Sequence, residues 1–392
     1  MKETKSLNIF VCDGRSRSSL QVCRSLSAEG HKIHIGEAFF CSTFLSNSVN
    51  KKVYYPDPDK YPENFLIFLN KYLLDNKIDF IFPIRDSSTK ILSDNKETLP
   101  SNTNCCLPTS VSFEDFQDKS KTIKLAQELK IPVPKTFFPK ENKMLSYKNI
   151  VEILGSPLLA KPVKSSGSRG IYVLKNEEQF QSVIKDIKIE DYIFQEFIPH
   201  GGALGVYLFS SKGKIIAINC HYRIREYPYS GGPSTFRIST KNIFSEKMSR
   251  KLIESTKWTG PAMVEFRLHS QTKIPYLMEV NPRFWGSLAV DLHSGVNFPA
   301  IILNETLKIS YNESYNSRKL GVKVRWLFLG DLLWFLMHPN KIGVLKDFTN
   351  FSDNFFDILN KKDPLPVVGA LLEGILSLFK SDRRKHAFKR GW

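Results

Sequence analysis

Apolar runs, helical periodicity and polar turns alternate over the first part of the chain. Residues 8–13 (NIFVCD) and 31–36 are predicted to be buried strands, with apolar residues at helical spacing between them. Helical periodicity at residues 64–74 and an apolar strand at residues 78–83 continue the pattern. This β–turn–α–β rhythm is typical of a doubly wound α/β unit, which we expect to end near residue 112.

A mixed α+β pattern follows from residue 113 to about residue 305. Residues 119–130 form a predicted helix, which the proline-containing segment 131–134 ends. Short strands joined by polar turns then predominate. They are predicted at residues 158–163, 171–174, 191–198, 203–209 and 214–220.

Two runs near residue 270 alternate apolar and polar residues with the period of a half-buried strand. They cover residues 263–269 and 275–281 and are joined by a polar turn. If this hairpin is symmetric about Thr272, Glu265 lies directly across from Glu279. The predicted core face carries Val264, Phe266, Leu268, Tyr276, Met278 and Val280. The other face carries Glu265, Arg267, Leu277, Glu279 and Asn281.

Directly opposed carboxylates destabilise a hairpin unless a positive charge lies between them. Glu265, Glu279 and the amide oxygen of Asn281 are ligands of the kind that Mg²⁺ prefers, with substrate phosphates completing its shell. The same face is also compatible with a solvated surface on which Arg267 offsets the charge. The hairpin alone leaves both interpretations open.

Lys161 lies inside a predicted strand and precedes the polar loop at residues 165–170 (SSGSRG). Backbone N–H groups of such a loop can surround an anion, and the lysine supplies a fixed positive charge. The loop is not a Walker A motif. The earlier turn at residues 14–19 (GRSRSS) is not a GxGxxG fingerprint, which argues against a nicotinamide or flavin site. Taken alone, each segment is equally compatible with an ordinary polar turn, although the first turn can also hold an anion at a helix N-terminus.

The 392 residues carry a formal net charge of +17, from 56 basic and 39 acidic residues. This balance suits polyphosphate ligands, nucleic acid or an anionic membrane. No basic motif is interleaved with aromatic residues, so sequence-specific nucleic-acid binding is not expected. The six cysteines form no CxxC pair, which indicates reduced thiols rather than disulfides or a zinc site. Because the first ten residues lack the apolar core of a signal peptide, we expect a cytoplasmic protein.

The residues after position 305 combine apolar segments with a basic end. Residues 326–337 and 365–379 are strongly apolar, but each is shorter than the ~20 residues that a spanning helix requires. Residues 380–392 (KSDRRKHAFKRGW) are basic. We favour a helical cap on the core, and the alternative is peripheral contact with an anionic membrane surface.

Four motifs, in this order along the chain, resemble those of the ATP-grasp superfamily, which includes biotin carboxylase, the carbamoyl-phosphate synthetase large chain and D-alanine–D-alanine ligase. They are Asp118-Lys119, Lys161 before the glycine loop, Gln195-Glu196-Phe197-Ile198, and Glu265 followed by Glu279-Val-Asn281-Pro-Arg283. The segment MEVNPRFWGS also resembles the stand-alone carboxylate–amine ligases of this superfamily. The resemblance covers roughly residues 5–305.

The resemblance implies a fold of three parts. An α/β pre-ATP-grasp domain is expected over residues 1–112, and an α+β ATP-grasp domain with two subdomains that clasp ATP over residues 113–305. The glycine-loop subdomain covers about residues 156–198. A mostly helical C-terminal extension is expected over residues 306–392.

The resemblance also implies how ATP and metal are held. Lys119 and Lys161 contact the ATP phosphates, and Glu265, Glu279 and Asn281 bind one or two Mg²⁺ ions, which Mn²⁺ can replace. The loop that closes over the β- and γ-phosphates contains Ser165, Ser166, Gly167, Ser168 and Gly170. The segment that binds adenine, mainly through its backbone, contains Glu196, Phe197 and Ile198.

Three residues are assigned to the chemistry itself by the resemblance. Arg283 faces the transferred phosphate or the acyl phosphate, and Lys161 contacts the ATP phosphates. Arg225, together with Arg223 and the SGGPS loop at residues 230–234, is placed where an anionic substrate carboxylate docks. The alternative role of these last residues is an ordinary surface hairpin.

The implied activity is an ATP-dependent ligation of a carboxylate to an amine by way of an acyl phosphate, with release of ADP and phosphate. Phosphoryl transfer needs positioning and charge neutralisation more than covalent participation, which these residue types supply. The chain lacks a biotinyl-lysine motif, a second ATP-grasp copy and an amidotransferase domain. A carboxyphosphate-forming enzyme is therefore a secondary alternative, and a non-catalytic nucleotide-binding protein at a membrane surface is another. The partners are a small-molecule acid and amine whose identities the residues do not determine, and a homo-oligomer is compatible with the sequence.

Overall fold

A computed structural model describes residues 6–141, 146–165, 170–228 and 232–378. Its first unit is a parallel sheet of five strands in the order β3-β2-β1-β4-β5. Ile9, Phe10 and Val11 of the central strand are fully buried, as expected for a parallel strand covered on both faces. In chain order the elements are β1 (Asn8–Val11), α1 (Arg17–Ala28), β2 (Lys32–Glu37), β3 (Lys51–Tyr54), α2 (Pro62–Asp75), β4 (Phe80–Phe82), α3 (Asp86–Asp94) and β5 (Asn104–Cys105).

Two helices then lead to an antiparallel sheet of four strands in the order β6-β9-β7-β8. Asp118 caps the second helix, because its carboxylate accepts hydrogen bonds from the backbone N–H groups of Ser120 and Lys121. This cap fixes Lys119 at the first helical position. The elements are α4 (Ser110–Gln117), α5 (Lys119–Glu128), β6 (Thr136–Phe137), α6 (Tyr147–Leu154), β7 (Leu158–Pro162), β8 (Tyr172–Leu174), α7 (Glu177–Asp186) and β9 (Tyr192–Glu196).

A sheet of seven strands in the order β14-β13-β10-β11-β12-β15-β16 forms the largest layer. Its first five strands are antiparallel, and residues after position 305 add the last two strands, which pair in parallel with each other. Up to that point the elements are β10 (His200–Ser211), β11 (Lys214–Glu226), β12 (Ser234–Thr240), α8 (Ile243–Ser255), β13 (Gly260–His269), β14 (Pro275–Asn281), α9 (Leu288–His293) and α10 (Phe298–Leu307). Beyond it they are β15 (Lys323–Arg325), α11 (Leu332–Met337), α12 (Lys341–Thr349), β16 (Asn354–Phe356) and α13 (Leu365–Leu378).

One hydrophobic core joins the first sheet to the largest sheet. Phe82 of β4 packs near Phe284, and Trp285 packs near both Tyr207 of β10 and Phe298 of α10. The segment that follows β14 therefore lies between the two sheets, which holds the end of the hairpin at the boundary of the N-terminal unit. The mixed α and β content predicted from the sequence is confirmed by these elements.

The hairpin of β13 and β14 contains a bulge that changes its predicted faces. Glu265 pairs with Glu279 as predicted, but Phe266 pairs with Leu277, so Met278 is an extra residue on β14. One extra residue exchanges the two faces of a strand. Leu277 is therefore buried in the core with Phe266, whereas Tyr276 and Met278 leave the predicted core face. The prediction of the core face was wrong for these three residues of β14.

The residues after position 305 pack on the N-terminal unit, as in the cap interpretation. Asp357 is buried and forms ion pairs with Arg17 of α1 and with Arg237 of β12. Asp363 accepts a hydrogen bond from Arg24 Nε at 2.8 Å. These contacts fix the extension to the N-terminal unit and to the seven-stranded sheet. Within the residues that the structure describes, no helix combines the length and the apolar character needed to cross a membrane.

Candidate active site

Three cavities meet at the β13–β14 hairpin, and the carboxylate-bearing residue Glu279 lines all of them. The first, which we call the lysine cavity, has a volume of about 110 Å³ and contains Lys119 and Lys161. The second, the arginine cavity, has a volume of about 190 Å³. The third has a volume of about 180 Å³ and is lined by the end of β14 and by residues next to the glycine loop. A group bound at Glu279 would thus be accessible from three sides.

The three predicted metal ligands lie together on one face of the hairpin. Glu265 and Glu279 are direct cross-strand neighbours, and Met263 is the neighbour of Asn281. The Asn281 side-chain nitrogen donates hydrogen bonds to one oxygen of each glutamate, both at 3.1 Å. One amide therefore bridges two half-buried carboxylates at the junction of the cavities.

The two carboxylates differ in their electrostatic surroundings. Burial raises the pKa of Glu265, and the Glu279 charge adds to this rise while Arg223 opposes it. Burial alone would raise the pKa of Glu279 as well, but Lys119, the Asn281 hydrogen bond and Lys161 outweigh it and lower the pKa. The surroundings thus favour the ionised form of Glu279 more than that of Glu265.

Oxygen ligands of this kind fit a hard divalent cation such as Mg²⁺. Glu279, Glu265 and the amide oxygen of Asn281 would hold the ion, which would offset the repulsion between the two carboxylates. Within the described ranges no three His, Cys, Asp or Glu side chains gather in one metal-binding group, so the candidate set is limited to two carboxylates and one amide.

Two lysines line one side of the junction. Lys119 Nζ lies 3.3 Å from Glu279 Oε2 and donates a hydrogen bond of 2.7 Å to the Ser165 carbonyl oxygen. Lys161 is 95% buried, and burial with the nearby charge of Arg267 lowers its pKa to about 7. A buried lysine with a low pKa gains its charge most readily when an anion arrives. The lysine cavity is therefore prepared for an anionic ligand.

The segment predicted to bind adenine connects the four-stranded sheet to the largest sheet. Phe197 lines the lysine cavity, and Ile198 is buried beside it in sequence. The Glu196 carboxylate accepts a hydrogen bond of 2.9 Å from the backbone N–H of Lys135, so it ties β9 to the start of β6. Backbone groups and the Phe197 ring, rather than the Glu196 carboxylate, are thus placed to meet a ligand.

The glycine loop is described at its two ends. Ser165 lines the lysine cavity. Gly170 has a φ of +70°, and a Cβ atom there would lie 2.9 Å from Pro162 Cγ, so this position favours glycine. Ser166, Gly167 and Ser168 lie outside the described residues, as do Ser230 and Gly231 of the predicted substrate loop.

The arginine cavity is lined by three arginines from different parts of the chain: Arg17, Arg223 and Arg283. Arg223 binds Glu265 and Glu226, and these carboxylates outweigh burial and raise its pKa. Arg283 donates hydrogen bonds to Asp86 Oδ2 at 2.8 Å and to Asn281 Oδ1 at 3.0 Å. The arginine cavity thus places positive charge next to Glu265 and Glu279.

Arg17 reaches this cavity from the turn at the start of α1. Its guanidinium lies 3.9 Å from the centre of the Trp326 ring and forms an ion pair of 2.5 Å with Asp357. A Cβ atom at position 286 would approach Arg17 to 3.0 Å, so Gly286 leaves room for the guanidinium. The residues after position 305 therefore orient an arginine of the N-terminal unit at the site.

Arg225, which was assigned to substrate binding together with Arg223, lies away from both cavities. Its guanidinium forms ion pairs with Asp331 and Asp347 and lies 4.3 Å from the centre of the Trp334 ring. A register shift between Arg223 and Arg225 in β11 turns the two side chains to different faces. The placement of Arg225 at the substrate is thus corrected, because the bulge directs it into the contact with the extension.

Several residues that line the cavities were not among the predicted site residues. Asp86 starts α3 just after β4, where the carboxyl ends of parallel strands commonly meet ligands. Lys164 lines the third cavity and directly precedes the glycine loop, so this position next to the loop could have identified it from the sequence. Met278 enters the lysine cavity because of the bulge in β14, and Glu226 comes from the distant end of β11, so neither had a local signal.

Comparison with known families identifies the central part of the chain. The model of the ATP-grasp domain matches residues 116–287, which contain the lysines, the glycine loop and the hairpin. A D-alanine–D-alanine ligase of Lactobacillus gasseri is 26% identical over 185 residues, which cover 42% of this chain and 51% of the relative. The chain thus matches about half the length of this curated relative.

Solved structures agree on the fold. Biotin carboxylase from Campylobacter jejuni superposes with a TM-score of 0.64 at 14% identity, over 81% of this chain and 74% of that one. An L-amino acid ligase from Bacillus licheniformis superposes with a TM-score of 0.59 at 16% identity, over 82% and 79% of the two chains. At these identities the likeness shows a common fold.

Proposed function

We propose that this protein, whose residues 116–287 match the ATP-grasp domain family, is an ATP- and Mg²⁺-dependent ligase that joins a carboxylic acid to an amine. The observation that carries the proposal is the position of Glu279 at the junction of the lysine and arginine cavities. A nucleotide in one cavity and an acid in the other would meet at this carboxylate. The similarity to D-alanine–D-alanine ligase and to an L-amino acid ligase favours amide formation.

In this proposal the lysine cavity binds ATP. Phe197 and the backbone beside it hold the adenine, while Lys119 and Lys161 neutralise the phosphates. Glu279, Glu265 and Asn281 hold Mg²⁺, for which Mn²⁺ can substitute, and the ion reduces the negative charge on the terminal phosphates when bound. The glycine loop that starts at Ser165 closes over the phosphates.

The arginine cavity binds the acid substrate. Arg17 and Arg223 would attract its carboxylate, and Arg283 faces the point where the cavity meets the phosphate site. A guanidinium matches a carboxylate or a phosphate through paired N–H groups. We therefore assign carboxylate recognition to Arg17 and Arg223, and assign stabilisation of the acyl phosphate to Arg283.

The proposed reaction has two steps. A carboxylate oxygen attacks the γ-phosphorus of ATP, the bond to the β-phosphate oxygen breaks, and ADP leaves. The amine nitrogen then attacks the acyl carbon, inorganic phosphate departs, and the nitrogen loses a proton. Positioned positive charges stabilise both steps, so no covalent protein intermediate is needed.

The wider organisation follows from the same proposal. The N-terminal unit supplies Arg17 to the acid side of the site and Asp86 to the third cavity, and the four-stranded and seven-stranded sheets clasp ATP between them. Within the extension, Trp326 and Asp357 support the site from outside by holding Arg17. The substrates are a small acid and amine, the setting is the cytoplasm, and a homo-oligomer is compatible with this arrangement.

The test is a screen of ADP and phosphate release with ATP, Mg²⁺ and pairs drawn from amino acids and other small carboxylic acids and amines. The proposal expects release of both products that depends on an acid and an amine, together with an amide detected by mass spectrometry. The Arg17→Gln variant should raise the KM for the acid at least about tenfold with little change in the KM for ATP, as expected when a charged hydrogen bond is lost. ATP turnover that needs bicarbonate alone, or turnover without an amide product, would contradict the proposal.

A further inference from the structure

Helix α13 packs on the N-terminal unit through a face of small residues. Gly369 lies so close to the segment Ser42–Leu45 that an added Cβ atom would approach Ser42 Cα to 2.7 Å. Ala370 is buried beside it, and Glu373 accepts a hydrogen bond of 2.8 Å from the backbone N–H of Ser42. The helix is therefore held in one orientation by a close and specific contact.

The opposite face of α13 is apolar and exposed. Its side chains recur at helical spacing and are between 42% and 56% exposed. They are Leu365, Val368, Leu371, Leu372 and Ile375. A continuous apolar stripe on the outside of a docked helix is unusual for a surface in contact only with water.

More apolar surface lies next to this stripe. Leu329, which precedes α11, approaches the position of Gly374 to within 2.9 Å of an added Cβ atom. In α11, Leu336 and Met337 are exposed, and Ile342 of α12 is 89% exposed. Exposed apolar side chains of the extension are therefore not confined to α13.

Basic residues flank the stripe on both sides along the chain. Lys361 and Lys362 are exposed just before α13. The sequence after the helix, residues 380–392, contains one acidic residue, Asp382, against six lysines and arginines. These six residues are Lys380, Arg383, Arg384, Lys385, Lys389 and Arg390.

We propose that the extension docks this protein on an anionic lipid bilayer, with the outer face of α13 in the interface and Lys361 and Lys362 beside the lipid headgroups. An apolar helix face beside a polybasic segment combines the two contributions that peripheral binding requires. A second copy of the chain is a less suitable occupant, because it would bring the same positive charges together. The proposal is independent of the ligase activity.

Vesicle sedimentation with the full chain tests the proposal. The protein should bind vesicles of phosphatidylcholine with 30% phosphatidylglycerol at least about tenfold more tightly than vesicles of phosphatidylcholine alone, and salt should weaken the binding. Leu371→Gln/Leu372→Gln should reduce binding to the anionic vesicles about tenfold or more, since two apolar contacts are lost. The matched control is Ile67→Gln/Leu74→Gln, which alters two exposed apolar residues of α2 and should bind as the original protein does.

A second variant addresses the charge without altering α13. Arg383→Glu/Arg384→Glu should weaken binding to the anionic vesicles more than tenfold, because each basic residue near the surface contributes about fivefold. The proposal is overturned if the original chain stays in the supernatant with anionic vesicles, or if both variants sediment as it does. It is also overturned if sedimentation velocity shows a dimer that Leu371→Gln/Leu372→Gln converts to a monomer, since a second copy would then cover the face.

Discussion

The ammonium group of Lys119 lies 3.3 Å from a carboxylate oxygen of Glu279 and donates a hydrogen bond to the carbonyl oxygen of Ser165. One side chain thereby connects the start of α5, the β13–β14 hairpin and the glycine loop. Lys119 is held at the first position of a helix that Asp118 caps. The ammonium group offsets the charge of Glu279.

The first prediction concerns Glu279. Glu279→Gln should lower ATP turnover at least about 100-fold while the protein stays folded, because a metal ion typically contributes several kcal/mol to stabilisation of the transition state. Phosphate release measures turnover, and circular dichroism checks the fold. Glu97→Gln, at an exposed position in the N-terminal unit, is the matched control and should keep full activity. Full activity of Glu279→Gln would refute the metal assignment.

The second prediction concerns the proton on Lys161. Burial lowers the pKa of this lysine to about 7, so at pH 8 the free protein holds it mostly neutral. Bound phosphates favour the charged form and raise the pKa, so ATP binding at pH 8 should take up nearly one proton. Affinity should therefore fall as the pH rises from 7 to 9. Calorimetry in buffers of different ionisation enthalpy measures the uptake.

Two variants separate the charge of Lys161 from its other contributions. Lys161→Ala should weaken ATP binding about tenfold or more, as expected when a charged hydrogen bond is lost. Lys161→Arg stays charged at all these pH values and should bind ATP without taking up a proton. Equal proton uptake by Lys161→Arg and the original protein would show that another group titrates.

The third prediction compares Arg223 with Arg225. Arg223→Gln should lower turnover strongly, because this arginine contacts Glu265 and lines both cavities. Arg225→Gln should instead lower the free energy of unfolding by about 1.5–3 kcal/mol, because the buried Asp331 loses one charged hydrogen bond but keeps its ion pair with Arg325. Steady-state kinetics and guanidinium unfolding of both variants make the comparison. A large loss of turnover for folded Arg225→Gln would restore this residue to the substrate site.

The fourth prediction concerns acid stability. Burial tends to raise the pKa of Asp357, but Arg237 and Arg17 outweigh it and hold the pKa below its ordinary value. A carboxylate whose pKa is lowered in the folded protein stabilises the fold fully at pH values above its pKa in the unfolded chain, about 4. This stabilisation is lost as the pH falls from there through the folded-state pKa. Asp357→Asn should thus lower the free energy of unfolding by about 3–5 kcal/mol at pH 7 and by less near pH 3, as guanidinium unfolding at the two pH values would measure.

The control for Asp357 is nearby in the extension. Asp353 is exposed and has a φ of +56°, a conformation that asparagine also adopts readily. Asp353→Asn should leave the unfolding free energy within about 0.5 kcal/mol of the original value at both pH values. If the two variants behave alike, the buried ion pairs of Asp357 do not stabilise the contact between the extension and the N-terminal unit.

Local patterns were sufficient for many of the elements and for the pairing at the centre of the hairpin. The period of two in residues 263–281 predicted the pairing of Glu265 with Glu279, since a hairpin with a short turn leaves few alternative registers. Asp118 before Lys119, Lys161 in a strand and the glycine loop were likewise local features. The ATP-grasp resemblance rested on these motifs, and the family comparison confirms it.

Tertiary structure decided which residues of distant segments meet. The bulges in β11 and β14 have no local signature, yet they turn Arg225 away from the cavities and bring Met278 into one. Arg17 reaches the site only because Trp326 and Asp357, more than 300 residues later, hold its guanidinium. The sequence by itself determined many of the strands, the helix that begins at Lys119 and the types of side chain on the hairpin, because these depend on neighbours along the chain. The shape and charge of the arginine cavity were decided by packing, because they depend on contacts between segments far apart in sequence.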